Sequence, residues 1–354
     1  MINRILQKLD RMWRGSIDRV LFCWLARFSG LASIYYFLFS FSRETRAVMA
    51  GRRFYENSLG NGRDSNTLLR RNIHRLEKGL IARPQKSSFA IEYIGETVSA
   101  YENLLRQGGP SASEELSWAH DVLKEYFSRA DANPIFLGSR ERFSLMVSFC
   151  YSDRESSRIP MPRGNSVTPV DYEALLLLAK RRRSVRLFEP VSVDREKIEK
   201  ALEVARLSPS ACNRQPFQFL IFDDRDLVRR ISVIPMGTVG FHENFPMIVV
   251  IVGQLRAFPF ERDRHVIYID ASLAAMAFML ALETLELSSC PINWPDISDR
   301  EIEINKVLKL APDERVIMLI AVGRADPLGK IASSIKRPLD QIRRYNLGQG
   351  KGLK

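Results

Sequence analysis

Two uninterrupted apolar runs, MIVVIV at 247–252 and VIMLIAV at 316–322, constrain this chain more than any other feature. Neither alternates apolar with polar residues, so each reads as a strand buried on both faces. Between them lies a long helical pattern over about 266–287, and a third strand-like run, FQFLIF, occupies 217–222. Helical spacing marks 171–183 and 194–207, the latter with Ile198, Leu202 and Ala205 on one face and Asp194 placed as its N-cap. Helices alternating with buried strands define an α/β or α+β sandwich.

Upstream of 165 the pattern is helical. In SNTLLRRNIHRLEKGLIAR (65–83), Leu69, Ile73, Leu76 and Leu80 recur at helical steps, with Arg70, Arg71, Arg75 and Lys78 between them. That charged face reads as solvated or as a binder of phosphate headgroups. Further helices are expected at 90–106 and 114–130, separated by the loop QGGPSAS, and the Ser-, Pro- and Arg-rich stretch 152–169 reads as a linker. The chain therefore divides into a basic, apolar segment (1–60), a helical extension with linker (61–165) and a mixed domain (166–354).

The net charge of +12 is concentrated at one end, because residues 1–83 carry 16 Lys/Arg against 6 Asp/Glu. A basic nucleic-acid channel across the main domain is thereby excluded, and a local acidic surface is the expected partner. Residues 20–41, VLFCWLARFSGLASIYYFLFSF, approach bilayer length but contain Arg27 and have basic residues on both sides. Two readings stand: an interfacial segment on an anionic membrane, or a hydrophobic helix packed on the protein's own core or across a dimer. Cys23, Cys150, Cys212 and Cys290 are widely spaced and the four His are scattered, which favours reduced cytoplasmic thiols and gives no metal-ligand pattern.

Three clusters carry candidate chemistry. RRRSVRLFEP (181–190) places Arg182, Arg183, Ser184 and Arg186 within five residues, a set suited to a phosphate, although a helix C-terminus also attracts Arg. SPSACNRQPFQFLIF (208–222) crowds small and amide side chains before a strand. IKRPLDQIRRYN (335–346) is again cationic beside a proline. Two basic clusters far apart in sequence, with an Asn/Gln loop, fit one phosphorylated ligand with an amide edge.

RRSVRLF, SPSACNRQPFQFLIF, DASLAAMAFMLALETLELSSCPIN, INKVLKLAPDERVIMLIAVG and KRPLDQIRRYN, in this order, resemble the nitroreductase family of FMN-dependent oxidoreductases over 172–346. The run R-N-x-H-x-L-E-K-G-L at 71–80 resembles an N-terminal extension of nitroreductase-like proteins from surface-polysaccharide gene neighbourhoods. The resemblance implies an α+β fold, a mixed sheet flanked by helices, and a homodimer with FMN in each of two interfacial sites. It assigns Arg182, Arg183, Ser184 and Arg186 to the flavin phosphate and ribityl end, completed by Lys336 and Arg337. Asn213 meets the isoalloxazine edge, Pro209 and Ser210 shape that loop, and Pro291, Ile292 and Asn293 lie along the ring, offering backbone N–H groups. FMN would take a hydride from NADH or NADPH and pass electrons to a small-molecule acceptor, with no catalytic side chain required. The alternative is a flavin-binding scaffold or a membrane-surface accessory protein without turnover. The resemblance also fits a cytoplasmic protein, peripheral at the membrane through residues 1–60. Two departures stand out: Leu285-Glu286-Leu287-Ser288 replaces a Gly-Leu-Gly-like turn, and Trp294 follows Asn293, where it would stack over the flavin or narrow the pocket. Cys212, beside Asn213, is expected to be a small packed residue rather than a redox thiol.

Overall fold

A computed structural model describes residues 28–37, 41–61, 67–84, 88–107, 113–129, 134–147, 158–164 and 168–346. All residues before 28, the centre of the QGGPSAS loop and much of the 152–169 linker lie outside the described residues.

The C-terminal half is built on strands β1 (Phe217–Phe222), β2 (Met247–Gln254), β3 (Ser288–Asn293) and β4 (Glu314–Gly323), in the spatial order β1-β2-β4-β3. All three pairings are antiparallel, with Val250 opposite both Leu220 and Leu319. The expected mixed sheet is therefore corrected: among the described residues the only parallel pairing is an isolated bridge between Ser184 and Ser289. The apolar run of β2 has a direct cause. Met247, Val249 and Ile251 enter one core, with Ile198, Phe278 and Leu282, while Ile248, Val250 and Val252 enter a second, with Val228, Ile231 and Ile304. Side chains alternate across a strand, so a sheet covered on both faces needs apolar residues at every position.

In chain order the helices are α1 (Ser29–Tyr36), α2 (Ser42–Asn61), α3 (Thr67–Ile81), α4 (Ile94–Gln107), α5 (Ser113–Arg129), α6 (Pro134–Val147), α7 (Tyr172–Arg181), α8 (Arg195–Ala205), α9 (Arg225–Ser232), α10 (Val266–Thr284), α11 (Ser298–Leu308) and the single turn α12 (Leu339–Ile342). The Asp194 carboxylate accepts from the Glu196 N–H at 2.9 Å and caps α8 as its sequence implies. Helix α10 is long and apolar enough to cross a membrane, but Ile267, Ala271, Ala274, Phe278 and Leu282 are buried in the protein core. Trp294 is also a core residue, 7% exposed, with its indole N–H donating to Glu301 at 2.6 Å; a flavin-stacking role is corrected accordingly.

Leu69, Ile73, Leu76 and Leu80 of α3 are all buried, in a third core with Val98, Tyr101, Val122, Tyr126, Phe136 and Phe143. Gly79 explains the EKGL end of that helix, since a Cβ there would sit 2.1 Å from the Phe89 ring. The helical half meets the sheet half along α2 and α3. Gly51 of α2 lies so close to Leu255 that an added Cβ would be 2.7 Å from the leucine Cβ. Arg43 adds an ion pair to Asp296 at 3.2 Å.

Candidate functional site

The RRRS segment leaves the end of α7 and runs beside β3, where the Val185 N–H donates to the Ser289 carbonyl at 3.0 Å. Arg183 donates to the carbonyls of Ala332 and Ser333, which anchors the C-terminal tail against the same segment. Lys336 and Arg337 follow within the exposed tail. Arg186 lies 5.6 Å over the Phe241 ring and donates weakly to the Ser184 carbonyl at 3.4 Å. Thus the structure gathers Arg182, Arg183, Ser184, Arg186, β3 and the start of the tail at one corner.

That corner holds buried polar atoms with nothing to bond. Arg182 Nε, Ser289 Oγ and Glu283 Oε1 reach no hydrogen-bond partner. Buried polar groups are rarely left in this state, and such a set fits a ligand with its own donors and acceptors. Burial pushes the Glu283 carboxyl above its ordinary range, opposed by Arg181 and Arg182. Burial likewise raises the Cys290 thiol, against Arg186 and Arg182. These cations therefore project their field into the space beside β3.

Pro291, Ile292 and Asn293 occupy the end of β3, an edge strand. Ser289 turns its carbonyl outward to Val185, and backbone polar groups alternate sides along a strand. Ser289, Pro291 and Asn293 consequently face the open edge, whereas Ile292 faces β4. Pro291 has no N–H, a usual condition for an edge position. Ile292 is 6% exposed, with its side chain in the core, so the expectation that its N–H serves a ligand passes to Asn293.

The amide-rich loop is elsewhere. Ser210 Oγ donates to the Asp270 carboxylate at 2.6 Å and accepts from the Gln215 N–H at 2.7 Å, so its hydroxyl holds the loop. Asp270 also accepts from the Ala211 N–H at 3.0 Å. Cys212, Asn213 and Gln215 all adopt left-handed backbone, with φ near 53°, 53° and 51°. Such strain in non-glycine residues concentrates at ligand sites. Asn213 Oδ1 accepts from Gln215 Nε2 at 2.9 Å, which leaves the Asn213 amide hydrogens pointing away from that contact. Pro209 is exposed beside it.

Asp270 and Glu283, thirteen residues apart on α10, mark the two clusters. At a rise of 1.5 Å per residue they stand about 20 Å apart. One chain brings the basic corner together, and brings the amide loop together, but does not join them.

Sequence reasoning missed two supports of the loop. Asp270 is 3% exposed within an apolar helix, and an acid in DASLAAMAF is a legible sign of a fixed acceptor. Arg70 of α3 donates from Nε to the Asn213 carbonyl at 2.8 Å and pairs with Glu115 at 3.3 Å. Nothing in the local sequence reveals a partner 143 residues away.

Residues 179–239 and 233–324 match the model of the nitroreductase family. The chain is 26% identical over 151 residues to an Archaeoglobus fulgidus protein named as an NADH dehydrogenase/NAD(P)H nitroreductase, covering 42% of this chain and 83% of the relative. It is 28% identical over 173 residues to an iodotyrosine deiodinase of Thermotoga neapolitana, covering 42% and 87%. Among solved structures, an FMN-dependent nitroreductase of Clostridium difficile aligns at 26% identity with a TM-score of 0.41, over 48% of this chain and 98% of its own. The family model and these curated relatives agree in likening the C-terminal half of the chain to the nitroreductase family.

Proposed function

We propose that the chain is an FMN-dependent oxidoreductase using NADH or NADPH to reduce a small-molecule acceptor. The observation that carries this reading is the unpartnered, buried Nε of Arg182 beside the unpartnered Ser289 hydroxyl, within the segment matched to the family. Bound FMN supplies hydride acceptance from the nicotinamide and electron delivery to the second substrate. The chain's residues bind and orient. Arg182, Ser184 and Arg186 counter the phosphate charge, Lys336 and Arg337 add to it from the tail, and the Asn293 N–H and Asn213 amide offer donors to the ring.

The separation of the two clusters supports a homodimer in which one protomer's basic corner faces its partner's amide loop. Apolar surface is available for it: Ile269, Leu273 and Met276 of α10 are 57%, 44% and 41% exposed, and Leu328 and Ile335 of the tail 89% and 92%. Phe28, Leu31, Ile34, Phe37 and Phe41 are exposed as well, which supports peripheral attachment to an anionic cytoplasmic membrane face. The 71–80 run, by resemblance, ties the acceptor to envelope polysaccharide metabolism.

Purified protein should be yellow, release FMN on denaturation, and lose flavin absorbance when NADH or NADPH is added without oxygen. A colourless protein that takes up no added FMN would end the reading. FMN bound but never reduced by either nicotinamide would leave a flavin-binding scaffold. Vesicle co-sedimentation at low and high salt tests the membrane attachment, which should weaken as salt screens the basic segment.

A further inference from the structure

Arg214 follows Asn213 in the amide loop, yet its side chain points to the seam between the two halves of the molecule. It is 8% exposed, its Nε reaches no acceptor, and no carboxylate lies within ion-pair distance of it among the described residues. Its guanidinium packs 4.8 Å over the Phe258 ring. The groups that act on it electrostatically are Cys212, Arg71 of α3, Asp263 and Tyr55 of α2. Burial lowers the Arg214 pKa, and the like charge of Arg71 lowers it further.

Arg71 is half-buried and also lacks an ion pair among the described residues; its side chain hydrogen-bonds the Tyr55 hydroxyl. Tyr55 itself is 4% exposed, and burial raises its pKa against the pull of Arg71 and Arg214. Neighbouring charges are otherwise matched. Arg70 is occupied by the Asn213 carbonyl and Glu115, and Glu96 accepts from Asn72 at 2.8 Å. Two guanidiniums from opposite halves thus lie within electrostatic reach of each other, one of them buried, with Asp263 acting on Arg214 only beyond ion-pair distance. An uncompensated buried charge is strongly unfavourable, and planar guanidiniums pair with oxyanions in fork geometry.

We propose that Arg71 and Arg214, with the Tyr55 hydroxyl, form a binding subsite for an oxyanion, a carboxylate or phosphate ester, at the seam beside Asn213. On the reading of Asn213 as a flavin-edge residue, on which this extension rests, the electron acceptor carries that anionic group. The helical half then selects the substrate through Arg71.

The test is calorimetric titration of inorganic phosphate into the full-length chain saturated with FMN, or the chain as purified if FMN does not bind, with chloride at equal ionic strength as reference. Wild type should bind phosphate saturably, Arg71→Gln at least tenfold more weakly, and Arg71→Lys in between. Glycerol 3-phosphate and phosphatidylglycerol vesicles separate the sources: Arg71-dependent heat with the first marks a soluble ligand, and Arg71-dependent co-sedimentation with the second alone marks a lipid headgroup. Flavin absorbance is followed in parallel. Arg71-dependent phosphate binding without FMN binding keeps the anion subsite and removes the flavin reading. FMN binding with phosphate heat no greater than chloride, or with Arg71→Gln equal to wild type, overturns the subsite.

Discussion

The helical half and the sheet half of this molecule are held together differently. The helical core is aromatic, with Tyr101, Tyr126, Phe127, Phe136 and Phe143 packed edge-on and tilted, whereas the sheet cores are mostly aliphatic. Helices α3 and α4 of the helical half each bury one stripe, and the sheet half buries nearly every residue of β2 and β4. Among the described residues, buried polar side-chain atoms without a partner lie in the sheet half and at the seam, not inside the helical core. The lesson is a division of labour: the segment matched to the family lies in the sheet half, and α3 of the helical half holds its amide loop through the Arg70 bond to the Asn213 carbonyl.

The largest test of that division removes the two cations proposed to face the phosphate. Arg182→Ala with Arg186→Ala should weaken FMN binding by about 1.5–3 kcal/mol per contact, since hydrogen bonds to charged groups have that magnitude. The helical half should be unaffected, so its unfolding should match wild type. Unchanged FMN affinity would move the phosphate elsewhere.

Ile73→Ala works from the other side. Ile73 is fully buried, and the cavity should destabilise the helical half by about 2–5 kcal/mol. Denaturant unfolding followed separately by flavin fluorescence and by far-ultraviolet circular dichroism checks it. Coincident loss of flavin and helix would show one cooperative unit and dissolve the comparison.

A smaller effect is expected at the seam. Gly51→Ala forces a Cβ against Leu255 and should cost about 1–3 kcal/mol as overpacking. Its mark is protease sensitivity between the halves while the sheet half stays folded. Equal digestion of variant and wild type would mean that the seam relaxes without parting.

The finest contrast is the response to pH. Burial holds the His120 pKa below 6.5, so its stabilising contribution is whole above that value. As pH falls, the unfolded chain takes up the proton first, and the helical half loses stability toward the folded pKa. Glu283 has the opposite sign: its carboxyl is raised above 4.5, so its contribution is whole below 4.5 and disappears as pH rises through the folded value. Melting curves of His120→Gln and Glu283→Gln should therefore each lose a pH slope in the weakly acidic range, of opposite sign for the two variants. Parallel curves for all three proteins would remove both assignments.

Much of this was readable before any coordinates. The stripe Leu69, Ile73, Leu76 and Leu80 announces α3, and the runs in β2 and β4 announce a sheet with two covered faces. Other elements were silent. Helix α6 spreads its apolar residues around its circumference, and β3 reads SSCPIN, too polar to declare itself, because an edge strand has little to bury. Glu286 shows the limit at a single residue: it takes φ 62° where glycine is the easy choice, and the Lys197 bond to the Leu285 carbonyl at 2.9 Å beside it is a contact across 88 residues.

The sequence by itself determined the strongly patterned helices and strands and where cationic and amide groups cluster, because period, composition and turn residues act over a few neighbours. Only the tertiary structure decided that the basic corner and the amide loop lie at opposite ends of α10, that Trp294 is core, and that Arg71 comes within electrostatic reach of Arg214. Those outcomes depend on contacts between residues far apart in the chain. Burial there, not local preference, decides which charge is left without a partner.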